Sequence, residues 1–312
     1  MVKPLRIGVI GVGYLGRIHA RIYARMPEIE LVAVVDTDTT VAHTIADELG
    51  CEAATEPSAL IGRVDAVSVV VPTSLHEMVA RPYLDAGIHV MLEKPIAVSV
   101  EQGRRIIDSA THGGVILQIG HLERFNSGFR VLAERVHSPR FIEVHRLGAF
   151  VERATDVDVV TDLMIHDIDI VLHLVHSQLR SVAAVGTAVI TEQVDIANAR
   201  LEFCNGAVAN ITASRVSDKR FRRIRVFSDG CYHALDFTNQ QIDIVKPGIA
   251  EEGVRFPPML HESLQVEAAK PLDVELEHFI QTIRSGGQPT VGGEEGLAAL
   301  AVVERVIQEM KT

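Results

Sequence analysis

The apolar run Leu5–Ile10 ends directly in Gly11-Val12-Gly13-Tyr14-Leu15-Gly16, and a helical pattern, Tyr14–Met26, opens from it. Strand, glycine hexad and helix in that order constrain the fold more than any other feature of the chain. The first glycine permits the tight turn, the second lets the main chain approach a pyrophosphate, and the third lets helix and strand pack closely. The anion then rests on the positive N-terminus of the helix. Twenty residues beyond Gly16, Asp36 ends a second apolar run, where a carboxylate would accept hydrogen bonds from ribose hydroxyls. The next residues, Thr37-Asp38-Thr39-Thr40, offer no arginine to neutralise a 2′-phosphate, so NAD is expected rather than NADP. A bland glycine turn in an ordinary α/β domain is the competing explanation. The full context of strand, helix and acid makes it the weaker one.

The rhythm of the first 120 residues supports that context. Glu30–Val35, Ala66–Val71, Ile88–Leu92 and Val115–Ile119 are Val- and Ile-rich runs of strand length. Helical patterns at Thr40–Leu49, Leu75–Ala86 and Val100–His112 alternate with them. Near-continuous apolar strands suit burial on both faces, so residues 1–122 are expected to form an α/β Rossmann domain with a parallel sheet. Beyond that point the strands follow one another: Val182–Ile190, Ile196–Phe203, Ala207–Ser214, Ile224–Ser228, Cys231–Phe237 and Gln241–Val245. Asn205-Gly206 and Asp229-Gly230 are hairpin signals between neighbours. Residues 123–312 are therefore expected to be an α+β domain with a largely antiparallel open sheet, closed by helices near Asp273–Ser285 and Gly293–Met310. One face of that sheet is expected to be apolar and to need a cover.

At 312 residues the chain has room for about two domains. A net charge of −11 argues against a nucleic-acid or anionic-membrane partner, though not against a small anionic substrate held in a local basic pocket. No apolar signal-peptide core and no stretch approaching the ~20 residues of a membrane span is read from the sequence. Cys51, Cys204 and Cys231 lack C-x-x-C spacing, which suits a reducing, cytoplasmic address and gives no support for a disulfide framework or a metal site.

Val71-Pro72-Thr73 and Glu93-Lys94-Pro95 follow the fourth and fifth expected strands, at the sheet end where open α/β folds bind ligands. The cofactor set read here is Gly11, Val12, Gly13, Tyr14, Leu15, Gly16, Asp36, Pro72, Thr73, His76, Glu93 and Lys94. A lysine beside an oxidised nicotinamide has a lowered pKa and suits acid/base work. Its plain alternative is a surface lysine on a loop.

Together, Gly11–Gly16, Glu93-Lys94-Pro95 and Asp162-x-x-x-His166 resemble the glucose-fructose oxidoreductase/inositol dehydrogenase family, Gfo/Idh/MocA. The resemblance spans essentially the whole chain. It implies that Lys94 contacts substrate and the nicotinamide side, that His166 is a catalytic acid/base, and that Asp162 contacts or orients the substrate. Elementary geometry agrees, since Asp162 and His166 are four apart and share a helix face. A histidine titrates in the physiological range and can take a hydroxyl proton as hydride leaves the carbinol carbon. A metal held by Asp162, His166 and Asp167 is the rival arrangement, disfavoured because adjacent helical side chains diverge. Many family members have a glycine-rich stretch before the aspartate, where this chain has Asp156-Val-Asp-Val-Val-Thr161.

Gly120-His-Leu-Glu-Arg-Phe-Asn126 and Val160–Asp169 resemble the branch that oxidises the 3-hydroxyl of UDP-N-acetylglucosamine, or of its uronic acid, to a 3-keto sugar. His121, Arg124 and Asn126 then become candidate substrate residues, against a local Glu123–Arg124 ion pair as the bland alternative. The basic cluster Lys219, Arg220, Arg222, Arg223 and Arg225 alternates faces on a strand, so it reads as a solvated face or a subunit contact. His19, His43 and His112 read as helix-surface residues. Two other functions stay open: dehydrogenation of a free polyol, inositol or hexose, and non-catalytic NAD sensing. Family members commonly pair their second-domain sheets, so a homodimer or homotetramer is expected.

Overall fold

Mostly apolar strands of three to seven residues form the first sheet, and short turns feed them into helices. In the computed structural model, which describes residues 3–151, 157–250 and 255–311, the order is β1 (Leu5–Ile10), α1 (Gly16–Tyr23), β2 (Ile29–Val35), α2 (Thr39–Leu49), β3 (Glu52–Ala54), β4 (Ala66–Val69), α3 (His76–Asp85), β5 (His89–Leu92), α4 (Val100–Gly113) and β6 (Leu117–Ile119). The six strands are parallel in the order β3-β2-β1-β4-β5-β6. The chain reverses its winding at β1, so the crevice beyond β1 and β4 is where a doubly wound sheet takes a dinucleotide. Ile7, Val9, Val34, Ala66 and Met91 are fully buried.

The second run is α5 (Ser127–Arg135), β7 (Pro139–Leu147), a π-helical turn Val160–Met164, α6 (Ile165–Val175), β8 (Leu179–Thr187), β9 (Ile196–Phe203), β10 (Val208–Ser214), β11 (Phe221–Ser228), β12 (Cys231–Asp236), β13 (Gln241–Pro247) and β14 (Met259–Gln265). These strands form an eight-stranded sheet, antiparallel except where β10 runs parallel to β7. Gly206 and Gly230 adopt positive φ in the two hairpins that the sequence signals. The β14 edge was missed because Met-Leu-His-Glu-Ser-Leu-Gln lacks alternation and is mostly exposed. The short β3 was missed as well.

The chain closes with α7 (Pro271–Ser285) and α8 (Gly293–Glu309). Two compact units result, residues 1–122 with 270–300 and residues 123–269 with 301–312. The sequence division assigned 270–300 to the second domain. In the structure, Leu276, Phe279 and Ile280 of α7 enter the first core beside Ile7, Val9 and Tyr23. Ile119 also donates its N–H to Val291 O at 3.0 Å. An apolar helical face does not announce which sheet it covers.

Within the second unit, α5 and α6 pack on one face of the sheet over Ile142, Val144, Leu201, Ile211 and Ile224. The opposite face differs from the apolar surface expected. It carries Arg225–Glu143 at 2.6 Å, Arg200–Glu202 at 3.3 Å and Arg223–Asp243 at 3.8 Å, around a patch of Phe141, Phe227 and Tyr232. Period-2 alternation turns the charged residues outward and the aliphatic ones in. Among the described residues, no helix is long and apolar enough to cross a membrane.

Candidate active site

In the first unit, Gly11 takes φ +83° and donates its N–H to Val35 O at 2.8 Å. A side chain at Gly16 is excluded, because its Cβ would lie 1.8 Å from Gly11 O. A Cβ at Gly13 would meet open space instead, so the glycine there leaves room for a ligand. No side chain caps the N-terminus of α1. Leu15 precedes that helix in helical conformation and Tyr14 is exposed.

Asp36 lies just past β2. Its Oδ2 accepts from Val12 N at 2.9 Å and its Oδ1 from Asp38 N at 3.0 Å. A carboxylate has about four lone-pair sites, so these two bonds orient it and leave acceptors for a diol. Asp38 caps α2 through Thr40 N and Val41 N. An uncapped helix end, a glycine cradle and an aimed carboxylate fit a dinucleotide.

Pro72 and Thr73 follow β4, and Glu93, Lys94 and Pro95 follow β5. Glu93 extends the ladder through its N–H to Val69 O, and Lys94 is half-buried. His76 is buried, with Nδ1 2.9 Å from Pro95 O and Nε2 3.0 Å from Val71 O. It braces the two loops against each other. His121 is fully buried at the end of this unit. His19, read as a surface residue, is also fully buried, whereas His43 and His112 are exposed.

In the second unit, Asp158 starts the π-helical turn. Its carboxylate accepts from Val160 N, Thr161 N and the Thr161 hydroxyl at 2.8–2.9 Å. Asp156 of the same stretch lies outside the described residues. Asp162 is half-buried on the turn and His166 is buried in the first turn of α6. The next acids are committed elsewhere. Asp167 takes a bidentate bond from Arg146 at 2.7 and 2.8 Å, and Asp169 accepts from Arg124 Nε at 2.8 Å.

The buried Arg124 is thus a structural partner of α6, where the sequence suggested either substrate recognition or a pair with Glu123. Glu123 instead meets Arg146 at 3.2 Å and Arg222. Burial pushes the Glu123 carboxyl up, but the two guanidinium charges outweigh it and hold the carboxyl below its ordinary value. Asn126, also named for substrate, spends its side-chain oxygen capping α5 through Phe129 N at 3.1 Å.

Arg222 carries no site role in the sequence reading. It turns inward from β11 and, with Arg146, Arg215, Arg220 and Asp162, lines a cavity of about 450 Å³. Strand alternation separated Arg222 from Arg223 and Arg225 correctly; its destination needed the register with β7, where Arg222 lies opposite Arg146.

Two family models match the chain. The description "Oxidoreductase family, NAD-binding Rossmann fold" covers residues 5–121, and "GFO/IDH/MocA C-terminal domain" covers residues 118–230. The chain belongs to the GFO/IDH/MocA oxidoreductase family. Among its relatives is the UDP-N-acetylglucosamine 3-dehydrogenase of Acidithiobacillus ferrooxidans, 37% identical over 303 residues, covering 97% of this chain and 96% of the relative. The solved structure of that enzyme superposes with a TM-score of 0.92 at 36% identity, over 100% of this chain and 99% of the other. The inositol 2-dehydrogenase of Rhizobium meliloti is 26% identical over 98% of this chain and 97% of its own.

A scyllo-inositol dehydrogenase from Lactobacillus casei, solved with NAD(H) and scyllo-inositol, shares the fold at TM-score 0.83 and 19% identity over 99% and 97% of the two chains. Membership in the GFO/IDH/MocA family makes the chain an NAD-binding oxidoreductase, and the reading as a non-catalytic sensor falls away. In the first unit, Gly11, Gly13, Gly16 and Asp36 would hold the NAD.

Proposed function

We propose that the chain is an NAD-dependent dehydrogenase that oxidises the 3-hydroxyl of a UDP-N-acetylglucosamine-type sugar to the 3-keto sugar. The observation that carries this reading is the 37% identity, along 97% of the chain, to an enzyme named for that reaction. Bound NAD supplies the acceptor for the hydride that leaves the carbinol carbon. His166 takes the hydroxyl proton, a task worth roughly 10²–10⁴ in rate for a well-placed base. Asp162, four residues earlier, orients the sugar, and the Lys94 ammonium steadies the oxyanion that develops as the proton departs.

A nucleotide sugar also brings two phosphates remote from the reacting carbon. Binding energy from such groups positions C3 and raises turnover as well as affinity. The cavity beside Asp162 supports an anionic substrate part, since Arg220 is exposed at its wall and Arg146, Arg215 and Arg222 line it. The cytoplasmic address belongs to the same reading, with three free cysteines in keeping. So does a homodimer or homotetramer through the second-unit sheet, with the Phe141–Phe227–Tyr232 patch at its contact.

The second reading, a polyol or inositol dehydrogenase, is favoured by relatives of that activity at 26–29% identity over nearly the whole chain. NADH formation with UDP-N-acetylglucosamine, its uronic acid, free N-acetylglucosamine and myo-inositol, measured side by side, separates the two. Turnover of the nucleotide sugars far above the free ones is expected. Activity confined to the last two compounds overturns the nucleotide-sugar reading.

A further inference from the structure

A line of buried polar side chains runs to Glu93 within the first unit. Tyr23 and His19 sit one turn apart on α1, Ser68 lies on β4, and Glu93 follows β5. The Tyr23 hydroxyl is 3.0 Å from Ser68 Oγ, and Ser68 Oγ is 3.2 Å from His19 Nδ1. His19 Nε2 is 3.3 Å from Glu93 Oε1, and Glu93 Oε2 accepts from Lys94 N at 3.3 Å. Tyr23, His19 and Ser68 are fully buried, and Glu93 nearly so. A Cβ on Gly120 would lie 2.9 Å from both carboxylate oxygens, so glycine there leaves room for this carboxylate.

The donors line up in one direction. Burial pushes the Tyr23 phenol up, so it keeps its proton and can donate to Ser68 Oγ. Ser68 then donates to Nδ1, which leaves the imidazole proton on Nε2, facing Glu93. Burial alone would raise the Glu93 carboxyl, but His19 Nε2 at 3.3 Å, the Lys94 charge and the Lys94 N–H outweigh it and hold the carboxyl below its ordinary value. The other charged groups around it are His76 on α3 and, beyond Tyr23, Glu275 on α7.

We propose that Tyr23, Ser68 and His19 are positioning residues that keep Glu93 ionised, and that ionised Glu93 fixes the main chain and charge of Lys94 for the reaction. The proposal rests on Lys94 acting at the substrate oxyanion. A neutral Glu93 would hold Lys94 N more weakly and would remove the negative charge that favours the ammonium form.

Histidine-to-amide replacements separate this role from plain packing. Glutamine at position 19 reaches as far as Nε2 and can donate to Glu93; asparagine reaches only as far as Nδ1. His19→Asn should lower kcat by about tenfold or more, with NAD affinity within about twofold of wild type. His19→Gln should recover most of that loss. Turnover of His19→Asn should rise towards wild type as pH is raised and Glu93 ionises, whereas Glu93→Gln should stay low throughout. In the Glu93→Gln background, His19→Asn should cost nothing further, because His19 acts through that carboxylate.

Equal behaviour of the two amides, or losses that multiply in the double variant, would overturn the proposal. If His19→Asn does not fold, Ser68→Ala carries the same cycle with a smaller loss. Lys94→Met that keeps normal turnover sinks the role of Lys94 and the relay with it. Lys94→Met that abolishes turnover while the two amides behave alike sinks the relay alone.

Discussion

Cofactor choice is the sharpest consequence of the geometry at β2. A 2′-phosphate on the adenosine ribose would add about 1.5–2 negative charges beside Asp36, whose carboxylate is already oriented by Val12 N and Asp38 N. Two unit charges 4 Å apart repel by ~1 kcal/mol in water and ~4 kcal/mol at an effective dielectric constant of 20. Asp36 is half-buried, so the lower part of that range applies. NAD should therefore bind at least about tenfold tighter than NADP, or ~1.4 kcal/mol. Asp36→Asn removes the charge and turns an amide NH₂ towards one of the two main-chain N–H groups. That unmet donor costs folding stability, while the weaker ribose contacts should cost NAD roughly 1–3 kcal/mol. Selectivity should shrink to about threefold, a remnant due to exposed and salt-screened Asp38. Calorimetric titration of both proteins with both cofactors measures all four affinities. Equal binding of NAD and NADP by the wild type would refute the reasoning, as would full selectivity in the variant.

Lys94→Met and His166→Asn should each lower turnover by ~10² or more with little change in NAD binding; near-normal turnover of His166→Asn would remove it as the base. Gly16→Ala should lower the melting temperature and NAD affinity together, because a Cβ 1.8 Å from Gly11 O forces main chain apart, at roughly 1–3 kcal/mol. Asp195→Ala should cost about 3–5 kcal/mol, since it strips a buried carboxylate from Arg215 and from Val189, Ile190 and Thr191 N–H. Burial pushes the Asp195 carboxyl up, but bonds from Thr191, Ile190 and Val189 outweigh it and hold it below the usual range. Its contribution is thus complete above the unfolded carboxylate pKa of about 3.9 and lost as pH falls below it, so the gap in melting temperature between wild type and variant should narrow in acid.

The dinucleotide half was legible because its determinants are local. Gly11, Gly13 and Gly16 are read from one turn, and Asp36 from the strand that pairs in parallel with β1. Hairpin glycines 206 and 230 likewise report their own backbone conformation. The assignment of α7 failed for the opposite reason. Leu276, Phe279 and Ile280 mark an apolar face, but the face fits either sheet, and only the packed core decides between them.

Charged and polar residues were harder still, because their meaning lies in partners far along the chain. Arg124 is settled by Asp169, 45 residues on, and Arg222 by Glu123, 99 residues back. His19 follows the glycine hexad on a helix whose pattern leaves it looking exposed, yet its ring nitrogens lie beside Ser68 on β4 and Glu93 just past β5. A buried charge without a partner is too costly to persist, so each such residue implies a counterpart that folding brings near. The sequence can therefore name the demand, as it does for the basic cluster after Asp218, without naming what meets it. Three of those arginines are answered by Glu123, Asp243 and Glu143, each from a different segment. Arg220 is exposed at the cavity that also holds Asp162, so under the proposed function that wall is where an anionic part of the substrate would meet an arginine.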